Sequence, residues 1–276
     1  MVLLTFTLMR STADTTRNGP EGYSLPIPVY VINLDRSHER LQAVKDSAAR
    51  FHVAIHRIPA VDGRALLPSS LADLDEAGFR RYHGKNVMPA EIGCYFSHLN
   101  ALREIANGDA PHAVIVEDDI IFTHDFVPFI DALAQVSGWD AVKLVNHRTP
   151  LFRSFRRIGS RFSIGRCAHG PLGSSAAYVV TREGAKKILA ALRPMRIPYD
   201  IALERGWSGN YAIFTTDRPL VEFSPQAVST IADRTAYASA KLAVWKRIGA
   251  LMFRTSDYAR RICFACAPNH LTDVKE

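Results

Sequence analysis

Cysteine is scarce in this sequence, and its four cysteines lack the spacing of a disulfide framework. Cys94 and Cys167 are isolated, and only Cys263 and Cys266 lie close together. With His270 this pair has a spacing typical of metal sites, but a zinc site needs four ligands and no second pair lies nearby. We therefore expect reduced, partly buried thiols, and the reducing cytosol is the expected compartment.

Long apolar runs are also missing. The N-terminal run 2–9 is interrupted by Thr5 and Thr7, and no basic residues precede it. It is too short to span a bilayer or to act as a signal. Residues 10–26 are rich in Thr, Asn, Gly and Pro, and the chain has neither an internal repeat nor a low-complexity tract. We predict that residues 1–26 form a flexible tail.

Positive charge is in excess, with a formal net charge of +7, and it is concentrated in two segments. Residues 148–166 contain six arginines and no acid, and residues 234–276 contain eight basic and three acidic side chains. Separate basic segments on a mildly acidic body indicate anionic partners at defined places. Because neither segment contains a recognisable nucleic-acid-binding motif, we expect no nucleic acid partner.

The hydrophobic pattern predicts alternating strands and helices. Residues 88–106 form the clearest helix, because Ile92, Phe96, Leu99 and Leu102 recur at helical spacing. Strands are predicted at 29–34, 54–59, 113–116, 141–145, 176–181 and 211–215, and further helices at 37–51 and 183–192. This alternation predicts an α/β fold with a mixed or mainly parallel sheet.

Three consecutive acids, Glu117, Asp118 and Asp119, follow the apolar run 113–116. The run is typical of a strand buried on both faces, and ligands of open α/β sheets bind at the carboxyl ends of strands. Adjacent carboxylates repel each other unless a cation lies between them, and hard divalent cations prefer oxygen ligands. The cluster suits Mg²⁺ or Mn²⁺ bound against a nucleotide diphosphate, and the alternative is capping or pairing with arginines.

Polar residues also follow the first two predicted strands. Asn33, Leu34 and Arg36 lie at the exit of the first strand, with Arg40 one helical turn further on. An amide and backbone groups suit a base or ribose, and arginines suit phosphates, although the same pattern also caps helices. The Asp-Gly pair at 62–63 is either a turn or a carboxylate that binds a ribose hydroxyl.

Two further acids are candidates for proton transfer. Glu91 shares one stripe of the predicted helix with Cys94 and His98, and a Glu and a His on one face can both point into a cleft. The alternative for His98 is a boundary histidine with its hydrogen bonds satisfied. Asp200 opens a short segment after Pro198 and either caps a helix or serves as a base.

In chain order, these pieces resemble glycosyltransferase family 25, the bacterial lipooligosaccharide galactosyltransferase family that is related to the collagen galactosyltransferases. The resemblance covers about residues 27–232. The matching segments are 28–36 with Arg40, 58–63, 90–98, 114–119, 173–178 with 184–187, Pro198 with Asp200, 224–226 and 229–231.

The resemblance implies a single GT-A-like, Rossmann-type domain over residues 27–232, a nucleotide-sugar donor, usually UDP-galactose, and a divalent cation, Mn²⁺ or Mg²⁺. Glu117 and Asp119 would replace the Asp-x-Asp metal ligands of such enzymes. In an inverting reaction, Asp200 is the first candidate for the base and Glu91 the second. The expected donor-binding residues are Asn33, Leu34, Arg36, Arg40, Asp62, Gly63, Ser97, His98, Asp118 and Asn146.

The implied function is transfer of a hexose, galactose in the first place, from a UDP-sugar to a lipooligosaccharide, lipopolysaccharide or related glycan acceptor. The alternative is a catalytically inactive module that binds a glycan or nucleotide sugar on the same fold. The arginine-rich segment 148–166 follows a predicted strand end, and we expect it to form a lid whose arginines meet phosphates.

Residues 233–276 are predicted to form a basic, amphipathic helical extension. In a helix from about Lys241 to Arg254, one arc would contain the apolar residues Val244, Trp245, Ile248, Leu251 and Met252. This arc either packs on the catalytic domain or lies on the anionic cytoplasmic face of an inner membrane, where a lipid-linked oligosaccharide acceptor would be reached.

Overall fold

The computed structural model describes residues 27–66, 71–225 and 240–274. The predicted tail at residues 1–26 lies outside the described residues. The same holds for the predicted domain boundary at 232/233 and for the motif at 229–231. The division of the chain into three parts therefore stays a prediction.

An eight-stranded sheet with the order β2-β1-β3-β9-β6-β10-β8-β7 forms the centre of the fold. β1 pairs in parallel with β2 and β3, and β6 pairs in parallel with β10, whereas β8 and β9 are antiparallel to their neighbours. Six strands thus run in one direction, which confirms the mixed, mainly parallel sheet. Its strands are β1 Val29–Asn33, β2 Ile55–Pro59, β3 His112–Glu117, β6 Ala141–Lys143, β7 Phe152–Ile158, β8 Phe162–Cys167, β9 Ala177–Thr181 and β10 Ile213–Thr216.

Helices cover both faces of this sheet, and two short strand pairs complete the described structure. The helices are α1 His38–Ala49, α2 Glu76–His83, α3 Pro89–Asn107, α4 Phe126–Leu133, α5 Arg182–Ala191, α6 Tyr199–Leu203, α7 Gly206–Gly209 and α8 Ile248–Cys266. The short strands are β4 Ile120–Phe122 with β11 Val221–Phe223, and β5 Val136–Ser137 with β12 Thr272–Asp273.

β3 lies between two hydrophobic clusters, one on each face of the sheet. Val114 and Val116 belong to the cluster that includes α1 and α4, and Ala113 and Ile115 belong to the cluster that includes α3 and α5. All four side chains are buried, as the apolar run predicted. The strand is therefore fixed from both sides, and so is the direction in which its three terminal acids leave the sheet.

The arginine-rich segment is not a lid. It forms the β7–β8 hairpin at the sheet edge opposite β2. Apolar side chains of the hairpin, such as Ile158 and Ile164, pack into the core, so the segment is held as an amphipathic strand pair. Its arginines bind acids of this chain, since Arg161 pairs with Asp125 and Arg156 with Asp273. The segment lies at the sheet edge because β8 pairs with β10, a strand that is distant in the sequence.

The C-terminal helix begins later and ends later than predicted. A 3₁₀ turn at Val244–Arg247 leads into α8, whose inner face is buried at Ala250, Arg261 and Ala265. The predicted apolar arc faces outward, because Trp245, Ile248, Leu251 and Met252 are all exposed. Of the two alternatives, packing of this arc on the domain is therefore wrong.

The predicted partial burial of the C-terminal thiols is also wrong, although both cysteines are free. Cys263 and Cys266 are both exposed, because they lie outside the inner face of α8. None of the described helices combines the length and apolarity needed to cross a membrane.

Candidate functional site

A cleft opens at the carboxyl ends of β1 and β3, which are parallel neighbours with Ile32 opposite Glu117. Because parallel strands present their carboxyl ends at the same sheet edge, residues distant in sequence meet there. The cleft lining includes ten of the predicted site residues, namely Leu34, Arg36, Arg40, Asp62, Gly63, Ser97, His98, Glu117, Asp118 and Asp119. Their grouping matches the prediction, while their individual roles stay predictions.

The loop at residues 61–63 packs backbone to backbone on the first turns of α3. A Cβ atom at Gly63 would lie 1.7 Å from the carbonyl oxygen of Pro89, and one at Gly93 would lie 2.6 Å from that of Val61. Ser97 fixes the same contact, since its hydroxyl donates to Gly93 O at 2.6 Å and accepts from Val61 N at 2.8 Å. Both glycines are therefore required for the shape of the cleft wall.

Asp62 has a local structural role at the cleft mouth. Its carboxylate accepts from Arg64 N at 3.1 Å, which caps the 3₁₀ turn at Gly63–Ala65, and it pairs with Arg36. The Arg64 backbone bond, followed by the Arg36 side chain, lowers the pKa of Asp62. The turn interpretation thus accounts for its contacts, and binding of a ribose hydroxyl stays a proposal.

Asp118 is held by two side chains of the first strand and helix. Asn33 Nδ2 donates to its Oδ2 at 2.7 Å, and Arg40 Nη2 lies 2.5 Å from its Oδ1. Burial raises the pKa of Asp118, while Asn33 and Arg40 act against this rise. Asn33 is buried behind Asp118 and also accepts from Arg57 Nε at 3.1 Å. Its observed role is to position Asp118.

Glu117 is held as an ionised carboxylate by a chain of buried hydrogen bonds. His98 Nε2 lies 3.2 Å from its Oε1, and the Ser175 hydroxyl donates to the same oxygen at 2.8 Å. Burial raises the pKa of Glu117, but the bonds from His98 and Ser175 outweigh it, so the pKa lies below its usual value.

The partners of His98 determine which of its ring nitrogens carries the proton. A carboxylate can only accept, so Nε2 carries a hydrogen, and Nδ1 lies 3.1 Å from the Tyr178 hydroxyl. The ring also stacks on Tyr199 with centroids 4.2 Å apart. His98 is therefore a buried histidine with satisfied hydrogen bonds that also borders the cleft, which combines the two alternatives considered from sequence.

Asp119 differs from its two neighbours because it has an atom without a partner. Its Oδ1 is buried and makes no hydrogen bond within the described part of the chain, and its Oδ2 lies 3.7 Å from Arg40 Nη2. Burial, and then the charge of Glu117, raise the pKa of Asp119 to about 7. A buried carboxylate oxygen without a partner, beside two further acids, suits a hard divalent cation. Glu117 and Asp119 thus fit the predicted metal ligands.

A second ligand set shares Glu117. The Cys94 sulfur, a His98 ring nitrogen and a Glu117 carboxylate oxygen all lie within 4.8 Å of one another. Sulfur and imidazole ligands are typical of softer ions such as Zn²⁺, whereas the oxygen set suits Mn²⁺ or Mg²⁺. Sequence reasoning placed Cys94 beside His98 on α3 but assigned it no role, and the i, i+4 spacing was the available signal.

Four predicted residues do not belong to the cleft lining that the structure describes, namely Asn33, which lies behind Asp118, and Glu91, Asn146 and Asp200. Glu91 accepts from Met88 N at 3.0 Å and so caps α3. Asn146 donates to Thr215 Oγ1 at 2.5 Å. Asp200 is half-buried in the first turn of α6, and burial, with Glu204 and Glu117 adding to it, raises its pKa.

Sequence reasoning missed a buried ion cluster next to Asp200. Glu204 lies 2.8 Å from Lys143 Nζ and 3.0 Å from Arg261 Nη2, and it accepts from Leu172 N at 3.0 Å. Burial raises the pKa of Glu204, but the two cations outweigh it and lower that pKa. The cluster connects α8 to β6, and no spacing pattern links its members in the sequence.

Comparisons with known proteins agree on one family. The family model described as glycosyltransferase family 25 (LPS biosynthesis protein) matches residues 26–203. Procollagen galactosyltransferase 1 of Danio rerio is 28% identical over 59% of this chain and 28% of its own length. The inactive glycosyltransferase 25 family member 3 of Homo sapiens is 26% identical over 83% of this chain and 40% of its own length. The chain thus spans well under half of these relatives.

A solved structure was also compared. The glycosyltransferase GlyE of Streptococcus pneumoniae aligns with a TM-score of 0.37 and 9% identity, covering 84% of this chain and 64% of that chain. At this level the likeness carries no argument about function.

Proposed function

The chain belongs to glycosyltransferase family 25, and we propose that it transfers a hexose, galactose in the first place, from a UDP-sugar to a lipooligosaccharide, lipopolysaccharide or related glycan acceptor. The observation that carries the proposal is the group of three acids at the exit of β3. Glu117, Asp118 and Asp119 face a cleft that also contains Arg36 and Arg40. This combination of acids and arginines suits a diphosphate bound with a divalent cation.

Glu117 and Asp119 would hold the cation, Mn²⁺ or Mg²⁺. When bound, such an ion supplies Lewis-acid stabilisation of the negative charge that develops on the leaving diphosphate. The fit rests on the buried Asp119 Oδ1, which makes no hydrogen bond in the described regions.

The arginines of the cleft would bind the donor phosphates. Arg40 already neutralises Asp118 at 2.5 Å, and its Nε is buried without a partner among the described residues. Arg36 is half-exposed and pairs with Asp62 at the cleft mouth. A phosphate bound here would accept hydrogen bonds from both guanidinium groups, and the backbone at residues 61–63 would contact the nucleoside.

A base must accept the proton of the acceptor hydroxyl as that oxygen forms a bond to the anomeric carbon and the bond to the UDP oxygen breaks. We propose Asp200 for this role. Its raised pKa suits a group that takes up a proton during turnover. Glu91 remains the second candidate, although its carboxylate is engaged by Met88 N.

A second candidate function is a nucleotide-sugar-binding module without transferase activity. A specific observation favours keeping it, since the human relative that covers 83% of this chain is named inactive. Asp62, Glu117 and Asp119 line one cleft, with Asn33 bonded to Asp118 behind it, and this arrangement argues for activity.

The proposed partners are a UDP-sugar donor and a lipid-linked oligosaccharide acceptor, at the cytoplasmic face of a membrane. The description of the family as an LPS biosynthesis protein supports this choice of acceptor class. We propose no nucleic acid partner, because the arginine-rich segment forms the β7–β8 hairpin at the sheet edge.

The test is release of UDP from a panel of UDP-sugars in the presence of Mn²⁺, with and without glycan acceptors. We expect UDP-galactose to be consumed, with turnover stimulated by a lipooligosaccharide acceptor and abolished by EDTA. Asp119→Asn is the matched control for background hydrolysis. Tight binding of a UDP-sugar with no release under any condition would instead support the inactive module.

A further inference from the structure

The outer face of α8 and of the 3₁₀ turn before it exposes an unusual amount of apolar surface. Eight large hydrophobic side chains are exposed in the described regions, and six of them lie between residues 245 and 262. They are Trp245, Ile248, Leu251, Met252, Tyr258 and Ile262, which we call the α8 strip. Trp245 is 70% exposed and Leu251 is 67% exposed. Apolar residues concentrated on one face indicate a binding surface, whereas single exposed hydrophobics do not.

The α8 strip lies on a helix whose opposite face packs on the rest of the protein. On the opposite face Ala250 and Ala265 are buried, Phe253 packs on Tyr82 with ring centroids 5.1 Å apart, and Arg261 binds Glu204. The strip is therefore held in place with its side chains outward. The exposure of these side chains is therefore not the result of a helix that is detached from the protein.

Charge around the strip is of one sign. Residues 240–266 contain a single acid, Asp257, and it faces inward, where its carboxylate lies 2.6 Å from Arg205 Nε. At 100° per residue, Arg260 lies at one margin of the strip and is exposed. Arg254 lies towards the inner face, where its Nη2 donates to His83 O at 3.3 Å. Long basic side chains beside an apolar face can bind anionic headgroups while their stems lie on the apolar surface.

The inner face of α8, opposite the strip, contacts the segment that leads into the cleft. Gly84, which follows α2, packs on α8 so closely that a Cβ atom there would lie 3.1 Å from Ala250 Cβ. Pro89 then begins α3, and Ala90 and Gly93 of its first turns line the cleft. α8 therefore joins the strip on its outer face to the segment before α3 on its inner face.

We infer that the α8 strip docks the protein, parallel to the surface, on an anionic lipid bilayer. The apolar row enters the headgroup boundary and the flanking Arg260 binds anionic headgroups. This inference rests on the proposed function and deepens it, because it holds the enzyme on the membrane that contains a lipid-linked acceptor. Its test measures lipid binding without turnover, so the two can fail separately.

Deleting the helix would be a poor test, because it would also remove Arg261 from the buried pair with Glu204. Substitutions on the strip avoid this problem. Leu251→Asp places a negative charge in the strip, and Leu151→Asp is its matched control, since Leu151 is 69% exposed and lies outside the strip. Arg260→Gln tests the basic margin.

The experiment is co-sedimentation of the full chain with vesicles of phosphatidylcholine that contain about one third phosphatidylglycerol. We expect binding that weakens with salt and is at least about tenfold weaker on phosphatidylcholine alone. Leu251→Asp should reduce binding at least about tenfold, Arg260→Gln about fivefold, and Leu151→Asp should bind like the wild type.

Two results would overturn the inference. The first is absence of binding to the anionic vesicles, or equal binding by Leu251→Asp and the wild type. The second is self-association, detected by sedimentation velocity without lipid, that Leu251→Asp abolishes and Leu151→Asp does not, together with no vesicle binding. That second result would assign the strip to a contact between two copies of this chain.

Discussion

Two buried groups of charged residues in this molecule differ in how completely their carboxylate oxygens are hydrogen-bonded. In the cluster of Lys143, Glu204 and Arg261, the carboxylate is bound by two cations and a backbone amide, and its pKa is lowered. In the cleft, three acids share Arg40 and His98, and one oxygen of Asp119 has no partner within the described regions.

The difference distinguishes a structural charge cluster from a binding site. A buried carboxylate whose oxygens are all satisfied is suited to holding elements together, here α8 and β6. A buried carboxylate that remains incompletely satisfied costs free energy in the empty protein, and a cation can recover that cost on binding. Replacing one acid in each group should therefore change stability in opposite directions.

The largest expected effect is in the satisfied cluster. Glu204→Gln should destabilise the protein by about 3 to 5 kcal/mol, because it leaves Lys143 and Arg261 buried without a negative partner. Urea unfolding at pH 7.5 measures this effect. Glu222→Gln, an exposed acid on β11, is the control and should stay within about 0.5 kcal/mol of the wild type. If the Glu204→Gln protein were as stable as the control, the proposed difference between the Glu204 cluster and the cleft acids would be wrong.

Asp119→Asn should instead stabilise the metal-free protein. The pKa of Asp119 lies at about 7, above its unfolded value near 3.8, so its contribution to stability is fully present below pH 3.8 and is lost as the pH rises through 7. In EDTA at pH 8, the variant should be more stable than the wild type by up to roughly 4 kcal/mol, and near pH 4 the difference should disappear. Equal stability at both pH values would show that Asp119 is not strained by its neighbours.

Asp200 responds to both groups, since Glu204 and Glu117 raise its pKa and Lys143 lowers it. If it is the base, Asp200→Asn should lower turnover at least about 100-fold and leave the affinity for a UDP-sugar unchanged. Steady-state kinetics and a binding titration together check this. Loss of donor affinity in parallel with turnover would instead make Asp200 a ligand of the donor.

The smallest expected effect concerns α8, the helix that brings Arg261 to Glu204. Leu251→Asp on its exposed face should change the free energy of unfolding by no more than about 0.5 kcal/mol. Ala250→Asp, one residue away on the buried face, should unfold or strongly destabilise the protein. Similar losses in the two variants, measured by urea unfolding, would mean that the outer face is also part of the core.

Sequence reasoning was most successful where local pattern and sheet direction act together. The apolar run 113–116 predicts β3, and the parallel pairing of β1, β2 and β3 brings Arg36, Asp62 and Asp119 to one edge. These contacts follow from strand order, which alternating elements indicate.

Other features depend on long-range pairing that a single sequence does not encode locally. The arginines of 148–166 suggested a lid, but β8 pairs with β10 and takes them to the sheet edge. The contact of Glu204 with Lys143 and Arg261 joins three distant segments. The exposure of the α8 strip could not be decided from periodicity, because an amphipathic pattern shows two faces without showing which one the core covers.

We propose that the acids at the exit of β3 hold a divalent cation against the diphosphate of a nucleotide donor. The most direct measurement is calorimetric titration of UDP with and without Mn²⁺ into the wild type and Asp119→Asn. We predict that Mn²⁺ tightens UDP binding at least about tenfold in the wild type and leaves it unchanged in a folded Asp119→Asn protein. The same Mn²⁺ dependence in both proteins would show that Asp119 does not bind the cation.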